Sequence, residues 1–164
     1  SALRYGAGVA KRRAQITAGG TSTRIDAECE FWRRAPVSVV VGMDLAAAWA
    51  RARVDWPCLE GSHDPGDEAC VVEVDGQPIM LLAREFDVSM FVHEATHVAA
   101  CVLRSRGVPF TDANEETVAH MIEWVVRVLL PPAQAWAAPS STPSPPPIGA
   151  ESAASEGCGT VQPR

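Results

Sequence analysis

The cysteines of this chain lack the number and the spacing of a disulfide framework. There are five of them, an odd number, and no two form the C-x-x-C pair that is typical of zinc ribbons. Cys58 and Cys70 flank an acidic loop and are the one plausible pair, but free thiols are the expected state. The sequence therefore argues against a small disulfide-rich scaffold and favours a domain with a hydrophobic core.

Long apolar runs are also missing. No segment is apolar for long enough to span a bilayer, and the first six residues lack the apolar core of a secretory signal. The chain begins with Ser rather than Met, so we expect a trimmed or incomplete sequence. These absences together predict a cytoplasmic protein that has no contact with membranes, and they leave its oligomeric state open.

Charge is unevenly distributed along the 164 residues, whose net charge is −6. Residues 1–35 hold seven Lys/Arg and three Asp/Glu, a net charge of +4. Residues 36–130 hold six Arg and fifteen Asp/Glu, a net charge of −9. A basic arm ahead of an acidic domain can contact nucleic acid, but no platform of aromatic and basic residues accompanies it. We therefore expect a solvated arm and do not expect nucleic acid as a partner.

The composition divides the chain into an arm, a domain and a tail. Residues 1–35 show no clean periodicity and contain the flexible break Gly19-Gly20-Thr21, so we predict a poorly ordered arm. Residues 36–130 are predicted to form the domain. Two consecutive prolines at 131 and 132 are expected to end its last helix. Residues 131–164 are rich in Pro, Ser and Ala and predict a disordered tail.

The domain contains segments typical of strands and of helices. Residues 37–42 predict a strand, and residues 69–74 and 78–83 predict a hairpin around Asp75-Gly76. Asp44 and Asp87 are predicted N-caps of helices over 45–53 and 88–104, Gly107 ends the second helix, and a third runs from 112 or 114 to about 130. The predicted buried stripes are Phe91, Ala95, Val98 and Val102, then Val118, Met121, Ile122, Val125 and Leu129. These elements predict an α+β fold in which a small antiparallel sheet or hairpin packs on two main helices.

His93, Glu94 and His97 form the pattern H-E-x-x-H inside the second predicted helix. Two histidines four residues apart lie one above the other on a helix face, close enough to bind one metal ion. The glutamate beside the first histidine can act as general base on a metal-bound water, which is the chemistry of zinc-dependent hydrolysis. Both histidines lie off the apolar stripe, as expected for a metal that faces a cleft.

The start of the last predicted helix supplies carboxylates. A hydrolytic zinc site has three protein ligands and one position open to water, so the histidines need a third partner. Glu115 and Glu116 begin this helix, and eighteen residues separate His97 from Glu116. That spacing suffices for the end of one helix, a turn, and the first turn of an antiparallel helix. His120 follows Glu116 by one turn on the same face.

The pattern from His93 to His97, followed by Glu116 in an E-x-x-A context, resembles the gluzincin metallopeptidases. Thr96 also matches, since thermolysin-like members often read H-E-x-T-H. The short chain further resembles the small single-domain HExxH proteins of phage-type genomes. The resemblance covers roughly residues 79–126. It implies a minimal zincin-like domain with zinc as cofactor, His93, His97 and Glu116 as ligands, and Glu94 as catalytic base.

The chain departs from the gluzincin pattern in two respects. The family's ligand Glu often follows Asn, and Asn114 precedes Glu115, so Glu115 is an alternative third ligand. We prefer Glu116 because helical geometry groups it with His120. Gluzincins also place a Tyr or His late in the chain to steady the oxyanion, and the only tyrosine here is Tyr5, in the arm. His120 is the candidate for that catalytic role, with a plain polar surface residue as the alternative.

Two other residues of ligand type are not expected to bind the metal. His63 lies in a Gly- and Pro-rich loop and is interpreted as a loop residue. Cys101 is four residues beyond His97, about 6 Å further along the helix axis, and is interpreted as a buried thiol.

The motif predicts zinc-dependent hydrolysis of a peptide or protein substrate. The strand over residues 79–83 precedes the histidine helix and is expected to line the cleft and pair with an extended substrate. The alternative is a non-catalytic zincin-like module, stabilised by its metal, that binds a partner.

Overall fold

The computed structural model describes residues 14–29, 32, 34–64, 66–109 and 111–138. In chain order the strands and helices are β1 (Gln15–Gly19), β2 (Ser22–Cys29), β3 (Ala35–Gly42), α1 (Leu45–Asp55), β4 (Ala69–Val74), β5 (Gln77–Ala83), α2 (Val88–Ser105), a short 3₁₀ helix (Asp112–Asn114) and α3 (Glu115–Ala137). The fold is α+β, as the sequence predicts. Among the described residues, no helix combines the length and the apolar character that a membrane span needs.

The five strands form one mixed sheet in the order β1-β2-β3-β5-β4. The β3–β5 pair is parallel, and the other three pairs are antiparallel. The expectation of a small antiparallel sheet or hairpin therefore captured only part of the sheet. A parallel pair needs a crossover, and α1 supplies it on the face of the sheet opposite to α2 and α3.

The domain begins well before residue 36, so the predicted limit of the arm is wrong. Residues 15–19 and 22–29 form a hairpin whose second strand pairs with β3 along its whole length. The glycine pair interpreted as a flexible break is the start of the hairpin turn, where Gly20 has a φ of 57°. The charged residues of β2 explain why the sequence did not predict this strand. Arg24 and Asp26 lie on the sheet face that α1 only partly covers, whereas Ile25 is buried on the other face. Residues 1–13 lie outside the described chain.

The last helix also continues past the point where the prolines were predicted to end it. Pro131 and Pro132 lie inside α3, which runs to Ala137. Each proline removes one backbone donor, but tertiary contacts hold the following turn in place. Ala133 is fully buried, and Trp136 packs against the core shared by α2, α3 and the sheet. The predicted tail thus contributes its first residues to the domain, and residues 139–164 lie outside the described chain.

The remaining elements agree with the sequence predictions. Asp44 caps α1 by accepting a hydrogen bond from the backbone N–H of Ala47 at 2.7 Å. The β4–β5 hairpin turns at Asp75-Gly76, both with positive φ, as an Asp-Gly turn of this kind requires. All four residues of the predicted α2 stripe are buried, and so are four of the five of α3, with Ile122 half-buried. The sheet and the core of α2 therefore form a rigid support for the H-E-x-x-H segment.

Candidate metal site

The helix that carries the motif is fixed at both ends. At its start, the Asp87 carboxylate accepts hydrogen bonds from the backbone N–H of Met90 and from the Ser89 hydroxyl, both at 2.7 Å. These bonds hold the pKa of Asp87 below its usual value. At its end, Gly107 takes a φ of 71°, and the N–H of Val108 donates to the carbonyl of Leu103 at 2.9 Å. The motif therefore lies in the regular first half of α2, held by an apolar face.

His93 and His97 lie side by side on the exposed face of α2. Their Nε2 atoms are 3.2 Å apart, and their rings meet at 72° with centroids 4.9 Å apart. Two imidazole nitrogens bound to a tetrahedral zinc ion at about 2.05 Å lie about 3.3 Å from each other. The spacing is thus compatible with a shared zinc ion and equally with a hydrogen bond between the two rings.

Glu94 points in a different direction from its two neighbours. Only 7% of the residue is exposed, because a step of about 100° along the helix turns it from the histidine face toward the sheet. Burial raises the pKa of Glu94, and the charges of His97 and His93 oppose that rise. Its charge in turn helps to raise the pKa of the thiol of Cys70 in β4. Glu94 thus lies between the histidines and the strand at that edge of the sheet.

An exposed ion pair joins α2 and β4. Arg104 Nη2 donates to Glu73 Oε2 at 2.7 Å, and this contact lowers the pKa of Glu73. The same nitrogen lies 3.4 Å from the sulfur of Cys101, whose thiol is buried as the sequence predicted. Cys101 belongs to this contact between helix and strand and not to the histidine pair.

The structure does not bring Glu116 to the histidines. Glu116 is exposed at the start of α3, and its Oε1 lies 3.1 Å from the Nε2 of His120. His120 is exposed too, and its Nδ1 lies 3.6 Å from Glu123. Glu115 is likewise an exposed residue of this first turn. The resemblance grouped Glu116 and His120 with the motif, whereas the structure groups them with each other.

The placement of the helices explains this separation. Helix α3 packs on β2 and β3, whereas α2 packs on β5 and β4, so α3 and β4 lie on opposite sides of α2. Glu94 lies toward β4 and next to His97 around the helix, away from the α3 side. Across the part of the chain that the structure describes, no three His, Cys, Asp or Glu side chains form a group able to hold a metal ion. The structure thus assembles two of the three predicted ligands.

Asp67 is the acidic residue near the motif that the sequence interpretation missed. Its charge contributes to the raised pKa values of both Glu94 and Cys70, after burial and the other charges near them. It is an exposed residue at the end of the loop before β4. It precedes β4, which begins at Ala69, and no motif in the sequence marks it.

His63 is a loop residue, as predicted. Its ring centroid lies 6.4 Å from that of Trp49 in α1, and its Nδ1 lies 3.2 Å from the carbonyl oxygen of Asp64. The Arg53 guanidinium lies 5.4 Å from the centroid of the Trp49 ring and donates a hydrogen bond to the carbonyl of Gly61. These contacts attach the loop to α1, on the sheet face opposite to α2.

Comparison with known proteins returned no match to this chain among family models, curated proteins or solved structures.

Proposed function

We propose that this protein is a zinc-dependent hydrolase of peptide bonds in which His93 and His97 bind the metal and Glu94 is the general base. The observation that carries the proposal is the 3.2 Å separation of the two Nε2 atoms. A zinc ion held there would polarise a substrate carbonyl and lower the pKa of a bound water to about 7.

Glu94 is suited to receive and return a proton. It lies beside both histidines, and burial makes its carboxylate take up a proton more readily than an exposed glutamate does. It would accept the proton of the attacking water and pass it to the leaving amine. The rotation of Glu94 toward β4 directs this chemistry to the side of α2 that faces the edge of the sheet.

An extended peptide is the substrate that this edge of the sheet favours. Strand β5, the predicted partner of the substrate, has β3 on one side and β4 on the other, so that expectation is wrong. Strand β4 lies at the edge of the sheet and, within the described residues, pairs with β5 alone. Its outward N–H and C=O groups can add one more strand, which would run past Glu94.

The test compares two substitutions in the motif with one outside it. We expect purified protein equilibrated with zinc to hold one ion per chain by elemental analysis, and His97→Ala to lose it. Glu94→Gln should keep the ion and lose peptide hydrolysis by at least about a hundredfold. Glu123→Gln, an exposed glutamate of α3, is the matched control and should keep both. A wild-type chain without bound zinc would refute the proposal.

A second function is favoured by the incomplete ligand set. A metal held by His93 and His97 without a third residue would serve stability rather than catalysis, in a non-catalytic binding module. That function predicts a higher melting temperature with zinc, no cleavage of a broad peptide library, and no loss of any activity in Glu94→Gln.

A further inference from the structure

The strand β1 is an open edge of the sheet. Within the described residues it pairs with β2 alone, and all five of its residues are exposed. Its sequence, Gln-Ile-Thr-Ala-Gly, holds neither a charged residue nor a proline, the residues that commonly keep the edge of a sheet from joining another strand. The opposite edge does hold such residues, because Glu73 lies within β4 and Asp67 and Glu68 precede it.

The register identifies the backbone groups of β1 that point outward. The N–H of Met43 donates to the carbonyl of Thr21 at 3.0 Å, so Thr21 and the odd-numbered positions of β2 direct their backbone groups to β3. The even-numbered positions of β2 therefore bond to β1, where their partners are the odd-numbered residues. The N–H and C=O groups of Ile16 and Ala18 consequently point away from the sheet, where the described chain offers no strand to bond them.

Ile16 is the exposed apolar side chain of this edge. It pairs directly with Ile25, which is buried on the sheet face that α2 and α3 cover, so both side chains lie on that face. Ile25 is fully buried, whereas 58% of Ile16 is exposed, because the cover that the helices provide ends near β2. A strand placed along β1 would cover Ile16 and bond the backbone groups beside it.

We propose that two copies of this chain associate by antiparallel pairing of their β1 strands about a two-fold axis at Ile16. The outward backbone groups permit this register, in which Ile16 pairs with its counterpart and Ala18 of each copy pairs with Ala14 of the other. The two isoleucines then lie opposite each other on the same sheet face, with Cα atoms about 5.5 Å apart.

The composition of the strand favours a second copy as its partner. The edge is neutral, so two copies do not repel each other there. The positions that point outward hold only Ala and Ile, and the one large apolar side chain meets an identical one. The acidic residues at β4 would instead oppose each other in a pairing of two β4 strands.

The contact is small, so the dimer should be weak. Three residue pairs with about six backbone hydrogen bonds form an interface at the low end of the range for specific complexes, and we expect a dissociation constant of about 0.1 mM. The joined sheet would have ten strands, five from each copy, with a β4 strand at each outer edge. The side of α2 proposed for substrate thus stays open, and the inference does not depend on the proposed function.

Sedimentation equilibrium of the full chain, in buffer that contains a metal chelator, tests the association. The chelator keeps His93 and His97 from joining copies through a metal ion. We expect the wild type to pass from monomer to dimer between about 10 µM and 1 mM. Ile16→Lys adds a charge of the kind that protects sheet edges and should weaken association by at least about tenfold. Val54→Lys is the matched control, because Val54 is an exposed apolar residue of α1, and it should associate like the wild type.

Oxidative cross-linking tests the register. The background is Cys58→Ser with Cys158→Ser, which removes the exposed thiol and the thiol outside the described chain. In that background Ile16→Cys should form a disulfide between copies, because directly opposed residues lie within the Cα distance that a disulfide spans. Val54→Cys, the matched control, should stay largely monomeric under the same conditions.

The outcomes decide whether β1 joins two copies. A wild-type chain that stays monomeric at about 1 mM would overturn the inference, and dimerisation after deletion of residues 1–13 would then assign the edge to that segment. Equal association of Ile16→Lys and the wild type would place the contact elsewhere. Equal disulfide yields in Ile16→Cys and Val54→Cys would exclude pairing at residue 16. A thermal melt of Ile16→Lys that matches the wild type establishes that lost association is not lost folding.

Discussion

Arg84, just beyond β5, donates from Nε to the carbonyl oxygen of Ala137 at 2.9 Å, in the last turn of α3. Its Nη2 donates to the carbonyl of Ala138 at 3.1 Å. The last carbonyls of a helix lack partners within the helix and attract positive charge. This contact across 53 residues explains how α3 stays helical beyond two prolines.

Removing this cap should destabilise the domain. We expect Arg84→Ala to lower the free energy of unfolding by about 1–3 kcal/mol, because charged hydrogen bonds to helix carbonyls are lost. Arg127→Ala is the control. Arg127 is exposed, and its single ion pair, with Glu123 at 3.5 Å, contributes about 0.5 kcal/mol or less. Urea denaturation of both variants provides the measurement. Equal effects would show that Arg84 does not anchor the helix.

Gly42 should tolerate no side chain, because the start of α1 lies against it. A Cβ atom added there would lie 2.6 Å from the carbonyl oxygen of Asp44, a backbone atom that cannot turn aside. We expect Gly42→Ala to cost about 2–3 kcal/mol of unfolding free energy by overpacking. Gly19→Ala is the control, because its Cβ would meet only the mobile end of Arg51, at 2.8 Å. Thermal melts that leave Gly42→Ala as stable as Gly19→Ala would contradict the close contact.

The thiol of Cys70 should resist alkylation at neutral pH. Burial, and then the charge of Glu94, raise its pKa from 9.0 to about 11. Since only the thiolate reacts, the fraction of Cys70 that can be alkylated falls about a hundredfold relative to a thiol of ordinary pKa. Iodoacetamide at pH 8, followed by peptide mapping, should label the exposed Cys58 before Cys70. Rapid labelling of Cys70 in the folded protein would contradict its burial.

The raised pKa of Cys70 also predicts that the stability of the domain depends on pH. Above pH 9 the unfolded chain releases the Cys70 proton while the folded chain retains it. The folded state should therefore lose stability relative to Cys70→Ala as the pH rises from about 9 to 11, and not below 9.

Local patterns predicted most of the elements after residue 36, because each carries its own signal. Asp44 and Asp87 accept the predicted capping bonds, and Asp75-Gly76 forms the predicted turn. The strands before residue 30 escaped prediction because a sheet face that is only partly covered accepts charges, so β2 lacks a clean apolar alternation. The prediction that Pro131 and Pro132 end the last helix failed because tertiary contacts of Arg84 and the burial of Ala133 hold the helix beyond them.

The candidate site was predictable only within one helix. The spacing of four residues puts His93 and His97 on one face of the helix, where their side-chain rotamers bring the Nε2 atoms to 3.2 Å. The neighbours of the pair depend on which elements flank α2, and that depends on sheet order. The parallel β3–β5 pairing puts β4 on one side of α2 and α3 on the other, and spacing along the chain does not reveal that the start of α3 lies away from the two histidines.

The parallel pairing of β3 and β5 also has a consequence for the time course of folding. Ser38 pairs with Ile79, so the centre of the sheet cannot form until the chain between them has been brought into place. Closing so long a loop is entropically costly, whereas the β4–β5 hairpin and the helices are local. The helix with the two histidines can thus form early, whereas its packing against the complete sheet follows only when the two halves of the sheet have joined.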